Sequence, residues 1–567
     1  MVSSLVAWRA VENPFWQYFF SKWVPGSVLL SRGVLSGQIL DEEVEKTEAK
    51  TRLNTANHYG TGQCNGWKNV AKNILITAMI NVKSRPYLLG VTDVSSLPKK
   101  AKTLLEIVNC EMKTICEAFG VILVAWCTNC SGDAAKMWCL LVCKYPWIVI
   151  LDCWAHQLNL VVGDILKLKE FRESVDQALE VIKWFLSHSL AVSLLVSEQQ
   201  NADFSVILVL ILPVLTRWTS HYLAIDRLLA LSVPLRRLVL DPSIRETLIK
   251  VAGLKQVAKN KARLIIRTIS RSNFWENVES ICNLLKLFAI ATNAAQADNC
   301  HLNTVLLLLG YLYHHHNLEK HWKKVDRDVF VLAIVFNPYI CKKAFNKSSH
   351  LSAVAGLRNI AVRTFKCFYQ DEEPNLEFRS SFSDYLNEIS EWTNTEMDLN
   401  YFHEQAAKEN KPINPLNIWC ELLPESASDC DGLVGLMRFT ICILSMVPNS
   451  AGSEQIFSCF GAVHTKARNR MGAQKTQKIV ILSQHIQRVH SVVSSRQSQA
   501  QNTNAGIIGS TMPSKTQGKL TMRTLAAMSA KTHTQPHNTN NTKASYVKQV
   551  KPTYVSSGGS EIESFIK

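Results

Sequence analysis

Apolar residues along the chain fall into distinct textures. Between 58 and 151 they come in short runs separated by turn signals. NILITAMINV at 72–81 and RPYLLGVTDV at 85–94, joined through Lys-Ser-Arg-Pro, read as a hairpin in a buried sheet. The pattern then predicts a helix over 100–117, a strand over 120–127, a helix over 132–144 and a short apolar segment at 147–151, an alternating α/β order. Beyond 155 a helical period takes over, with QLNLVVGDILKL running into VDQALEVIKWFLSHSLAVSLL, and predicts a mostly helical block from 156 to about 400. LVGLMRFTICILSMV at 433–447 reads as an apolar helix or buried strand that Pro448 ends. A helix follows from Asn449 or Ser450, either able to cap it, and another runs from 473 to about 490 with Ile479, Leu482 and Ile486 on one face.

The flanks differ from this body. DEEVEKTEAK, before residue 57, reads as a helical, solvent-facing segment. After 491 the composition turns to Ser, Thr, Asn, Gln and Lys with few large apolar groups, too little burial to offset the entropy of ordering. That stretch holds nine Lys or Arg against Glu561 and Glu563, so it carries nearly half of the chain's net charge of +16. A surplus of this size favours nucleic acid or an acidic surface as partner.

Apolar residues are 47% of the 567, which excludes a mostly disordered chain, and 16 cysteines are too dilute for a small disulfide scaffold, so reduced thiols are expected. Arg9, Glu12 and Lys22 interrupt the first apolar stretch, and no export signal is expected. The most apolar internal run, FSVILVLILPVL at 204–215, is twelve residues long and too short to span a bilayer. A soluble intracellular protein with no membrane partner is expected.

Two tempting metal clusters have plainer readings. Cys127, Cys130, Cys153 and His156 supply acceptable zinc ligand types, but at a spacing foreign to standard fingers, so buried packing is expected. His314, His315 and His316 would splay around a helix axis and read as a surface turn.

Three islands remain: TGQCNGWKN at 61–69, the stretch from WCTNCSGD to LNLVVGD at 126–164, and PNSAGSEQIFSCFGAVHTKARNRM at 448–471. With LTRWTSHYLAIDRLL at 215–229, they resemble in order and separation the hAT superfamily of DNA transposases. The likeness includes the DUF659-type domain of unknown function of fungal and plant members and the carboxy-terminal dimerisation region. It spans roughly 11–490. It implies an α/β protein with a ribonuclease-H-like core interrupted by a large mostly α-helical insertion, followed by a disordered basic tail. The expected parts are an amino-terminal helical appendage (1–57), the first part of the core (58–170), the insertion (171–400), the rest of the core with the dimerisation region (401–490) and the tail (491–567).

The resemblance also implies three carboxylates that hold divalent metal ions for DNA strand cleavage and transfer. Mg²⁺ or Mn²⁺ requires such anionic oxygen ligands. At the matching positions this chain has Asn65, Asn129 and Glu454, so only the third acid survives, as a vestigial ligand or a structural group early in a helix. An amide keeps the shape and one acceptor oxygen but brings no charge and presents a donor. A catalytically impaired protein with no cofactor is therefore expected. The competing reading is an active, Mg²⁺- or Mn²⁺-dependent transposase or nuclease in which Asp93, Asp133 or Asp152 substitutes. Gln455 also departs from the basic residue usual beside the third acid.

The implied partners are double-stranded DNA and a second copy of the chain, in the nucleus. His464, Lys466, Arg468 and Arg470 offer phosphate contacts, and no zinc-finger pattern suggests sequence-specific reading. Phe457, Phe460, Ile479 and Leu482 are the candidate dimerisation residues, with packing into the chain's own core as the alternative.

Overall fold

The computed structural model describes residues 6–24, 26–129, 132–202, 204–213, 218–316, 328–424, 432–465 and 471–502; the side chains of 170, 218, 313–316 and 490–502 are outside this description. The described chain forms two compact units, one comprising residues 1–153, 296–310 and 322–567 and the other 154–295 and 311–321.

The first unit is built on a five-stranded sheet of order β3-β2-β1-β4-β5, with β1 Tyr59–Lys68, β2 Ile74–Val82, β3 Arg85–Asp93, β4 Ile122–Thr128 and β5 Val149–Asp152. The first three strands are antiparallel neighbours, and β4 and β5 join them in parallel. This order agrees with the expected ribonuclease-H-like core. The hairpin turns through Lys83 and Ser84, both at positive φ (50° and 58°), the backbone that tight two-residue hairpins adopt.

Alternation along β2 sends side chains to opposite faces. Ile80 and Val82 join Val108, Met112 and Ile115 of α2 and Met137 and Leu141 of α3 on one face, where α2 is Ala101–Phe119 and α3 Gly132–Lys144. Gly120 ends α2 at φ 62°, a left-handed cap that glycine adopts freely. Leu75 and Met79 face the other way. There they meet Leu40 and Val44 of α1 (Leu40–Thr55) and apolar groups of the last two helices of the unit. Helix α1 contains the DEEVEKTEAK segment, helical as expected, but its reading as solvent-facing is corrected on one side: Leu40, Val44 and Thr47 recur at helical spacing and are buried, while Asp41 pairs with Lys478 at 2.7 Å.

Further helices belong to this unit: α4 Asp328–Val335, α5 Val354–Phe368, α6 Leu376–Leu386, α7 Pro415–Leu422, α8 Gly432–Leu444, α9 Ala451–Val463 and α10 Ala473–Asn502. Phe336 centres an aromatic core there, with Phe382, Tyr385, Trp419 and Phe439 around it. Trp419 donates its indole N–H to the Phe336 carbonyl at 2.8 Å, and Tyr385 its hydroxyl to the Val335 carbonyl, which satisfies two buried polar groups. The apolar 433–447 segment resolves into helix α8, and α10 runs on to Asn502, past the expected end near 490. The rest of the expected tail lies outside the described residues.

In the second unit, residues 154–295 form helices and no strand among the described residues, the longest being Lys169–Leu186 and Ser272–Ala295. Asp241 caps Pro242–Val251 by accepting the Ser243 and Ile244 N–H groups. No single helix among the described residues is long and apolar enough to cross a membrane.

Candidate functional site

Parallel pairing of β1 with β4 sets the site. Cys64 lies opposite Thr128, so the next residues, Asn65 and Asn129, come side by side. Asn129 donates from Nδ2 to Asn65 Oδ1 at 3.3 Å, and the same oxygen accepts the Gly66 backbone N–H at 2.8 Å. Ser450, at the start of α9, donates its hydroxyl to Asn129 Oδ1 at 3.4 Å. The sequence signal for Ser450 was its capping role alone. Its neighbour Asn449 does the capping, accepting the Ala451 N–H at 3.2 Å.

The surroundings hold these groups in place. Thr61 of β1 donates to the Ser445 carbonyl and accepts from the Val447 N–H at 3.0 Å, tying the strand to the segment that enters α9. Thr128 accepts the Trp138 indole N–H at 2.9 Å, which fixes the end of β4 against α3. Gly62 lies so close to Trp126 that a β-carbon there would meet the indole ring at 2.2 Å.

Both asparagines line a cleft of about 360 Å³. Ile74, Ile76, Leu104 and Ile107 form part of its wall, Lys99, Lys100 and Thr103 line it around the start of α2, and Asp133 of α3 is its one acid among the described residues. The Cys64 thiol also lines it and is held protonated, burial pushing its pKa up to about 12. The local sequence gives no sign of Lys99, Lys100 and Thr103 as site residues beyond a Lys-Lys pair at the start of the helix predicted over 100–117.

The remaining expected positions are distributed as follows. Glu454 occupies the first turn of α9, half-buried, and stands outside the lining of the cleft. Asp93 ends the edge strand β3 and is engaged by Ser95 and by the Asn73 amide; the Ser95 hydrogen bonds hold its carboxyl below the usual range. Asp152 ends β5 opposite Thr128. Cys127 and Cys153 are buried, and burial, with the neighbouring Cys153 thiol, raises the Cys127 thiol; Cys130 lies outside the described residues, and His156 lies in the first turn of helix Trp154–Ile165. His314–His316 close helix Leu302–His316 rather than forming a turn, and their side chains lie outside the description.

Phe460, Ile479 and Leu482 are buried in the chain's own core beneath the sheet, and Phe457 stacks on Trp67 at 5.7 Å between ring centres. His464 is buried at the end of α9. Lys466, Arg468 and Arg470 lie outside the described residues. Among the described residues, no group of three or more His, Cys, Asp or Glu is placed to hold a metal ion.

A family model, Domain of unknown function (DUF659), matches residues 30–181. The matched region contains the whole sheet, Asn65 and Asn129, and excludes Glu454. The match is consistent with the hAT superfamily in general. No curated protein matches the chain.

Proposed function

We propose that this chain is a transposase-derived protein that binds double-stranded DNA, self-associates as a dimer, acts in the nucleus and has lost strand-transfer chemistry. The observation that carries this reading is the hydrogen bond from Asn129 to Asn65. A site for two dications needs converging anionic oxygens. Here one amide oxygen accepts two N–H groups, the other accepts the Ser450 hydroxyl, and neither carries charge. This donor set does not fit Mg²⁺ or Mn²⁺, and no catalytic step is derived through a metal. The DUF659 match and the strand order support descent from a transposase-like ancestor.

DNA binding rests on the charge of +16 and on the His464–Arg470 segment, with Lys466, Arg468 and Arg470 as phosphate contacts. The dimer rests on the resemblance of the carboxy-terminal region. A nicking assay on supercoiled DNA with Mg²⁺ and with Mn²⁺ tests the reading: salt-sensitive binding without nicking is expected, and metal-dependent nicking by the unaltered chain overturns it. Light scattering at micromolar concentration tests the dimer, which a purely monomeric population would refute.

One observation favours a second reading, an active metal-dependent nuclease or transposase: Asp133 lines the same cleft as the two asparagines. Under that reading the unaltered chain nicks DNA and Asp133→Asn abolishes the activity.

A further inference from the structure

The amide network in the cleft spends its oxygens internally and leaves its hydrogens free. Asn65 Oδ1 is taken by Gly66 and Asn129, and Asn129 Oδ1 by Ser450. A side-chain amide carries two donor hydrogens. Both on Asn65 and the second on Asn129 therefore have no acceptor among the described residues. Lys99 and Lys100 line the cleft, exposed, and neither forms an ion pair among the described residues. The first turn of α2 that follows them holds no acid. Asp133 is the single carboxylate among the described residues that line the cleft.

Two lysines and the unengaged amide hydrogens against one carboxylate make the cavity favour an anion over a cation. It suits an anion rich in acceptor oxygens, because lysine ammonium groups and amide N–H groups form charge-assisted hydrogen bonds to phosphate. The wall of Ile74, Ile76, Leu104 and Ile107 gives the same cavity an apolar side, which a bare inorganic anion would leave unused. The volume, about 360 Å³, lies at the lower end of small-molecule sites.

We propose that the cleft binds a nucleoside phosphate monoester without a divalent metal, the phosphate at Lys99, Lys100 and the Asn65 amide and the sugar and base along the isoleucines. The replacement of acids by amides then reverses the charge preference of the site. This inference rests on the reading that the metal site is lost. Its ligand chemistry has two sources, a free nucleotide or the 5′-phosphorylated end of a DNA strand.

Calorimetry on the full chain in EDTA tests it, with deoxyadenosine monophosphate, deoxyadenosine, inorganic phosphate, and DNA duplexes bearing 5′-phosphate or 5′-hydroxyl ends as probes. The monophosphate or the phosphorylated duplex should bind more tightly than its phosphate-free counterpart and than inorganic phosphate. Lys99→Gln with Lys100→Gln, both at exposed positions, should weaken that binding about tenfold or more. Binding of the free nucleotide alone assigns the site to metabolite-like ligands, and preference for the phosphorylated duplex alone assigns it to DNA ends. The proposal is overturned if the phosphate gives no advantage in either pair, or if the double lysine variant binds unchanged. These outcomes are read without metal. Failure of the lost-metal reading would show separately, as Mn²⁺ binding by the unaltered chain.

Discussion

Asn129 and Asn65 face each other across parallel strands β4 and β1, joined by an amide hydrogen bond of 3.3 Å whose direction is set by the Gly66 N–H on the receiving oxygen. The pair is therefore asymmetric. In Asn65→Asp a carboxylate keeps both N–H donors, now charge-assisted, and stability should stay within about 1 kcal/mol of the unaltered chain. Asn129→Asp removes the donor and sets two acceptor oxygens against each other, at a cost of about 1–3 kcal/mol. Thermal unfolding of the two single variants at neutral pH measures the difference; equal effects would contradict the bond direction.

The His301 imidazole is fully buried, 3.4 Å from the Ser84 hydroxyl. Burial pushes its pKa down from 6.5 to about 4, against a weaker opposing pull from the nearby Asn414 side chain and Leu444 backbone. Below pH 6.5 the unfolded chain takes up a proton at this position that the folded chain refuses. This contribution is therefore complete above about pH 6.5 and is lost as pH falls toward 4, by roughly 3 kcal/mol at the lower limit. Denaturant unfolding between pH 7 and 4.5 should show the decline, and His301→Gln should flatten it.

Phe460 is buried beneath the sheet, and Phe457 is half-buried against Trp67. Phe460→Ala should cost about 3–5 kcal/mol through the cavity it leaves, and Phe457→Ala clearly less. Denaturant midpoints measure both. A Phe460→Ala variant of unchanged stability that becomes monomeric would assign the residue to an interface instead.

Gly62→Ala drives a methyl group into the Trp126 ring, where the contact would be 2.2 Å, and should destabilise the chain by about 1–3 kcal/mol or more. Trp126→Leu in the same chain should recover part of that loss by making room. Unfolding midpoints of the single and double variants check this, and additive losses would contradict the contact.

The sheet was legible where the side-chain period was clean. The Ile80 and Met79 faces of β2, the Lys83-Ser84 turn and the limits of α2, β4 and α3 all follow from local pattern. Strand β1 was harder, because Gly60, Gly62 and Gly66 dilute its alternation, and TGQCNGWKN drew attention for its chemistry. The pairing of Asn65 with Asn129 depends on the parallel register of strands 64 positions apart, which no local window contains. Lys99 and Lys100 join the two asparagines in one cleft only once the start of α2 is folded against the sheet. The buried side of α1 was obscured by its acids, although Leu40, Val44 and Thr47 mark the stripe.

The central claim is that two amides have replaced the charge a metal site requires. Calorimetric titration of Mn²⁺ into the unaltered chain and into the Asn65→Asp, Asn129→Asp double variant tests it most directly. The account predicts binding by the double variant alone, with two like-charged carboxylates relieved by the cation. Equal Mn²⁺ binding by the unaltered chain would contradict it.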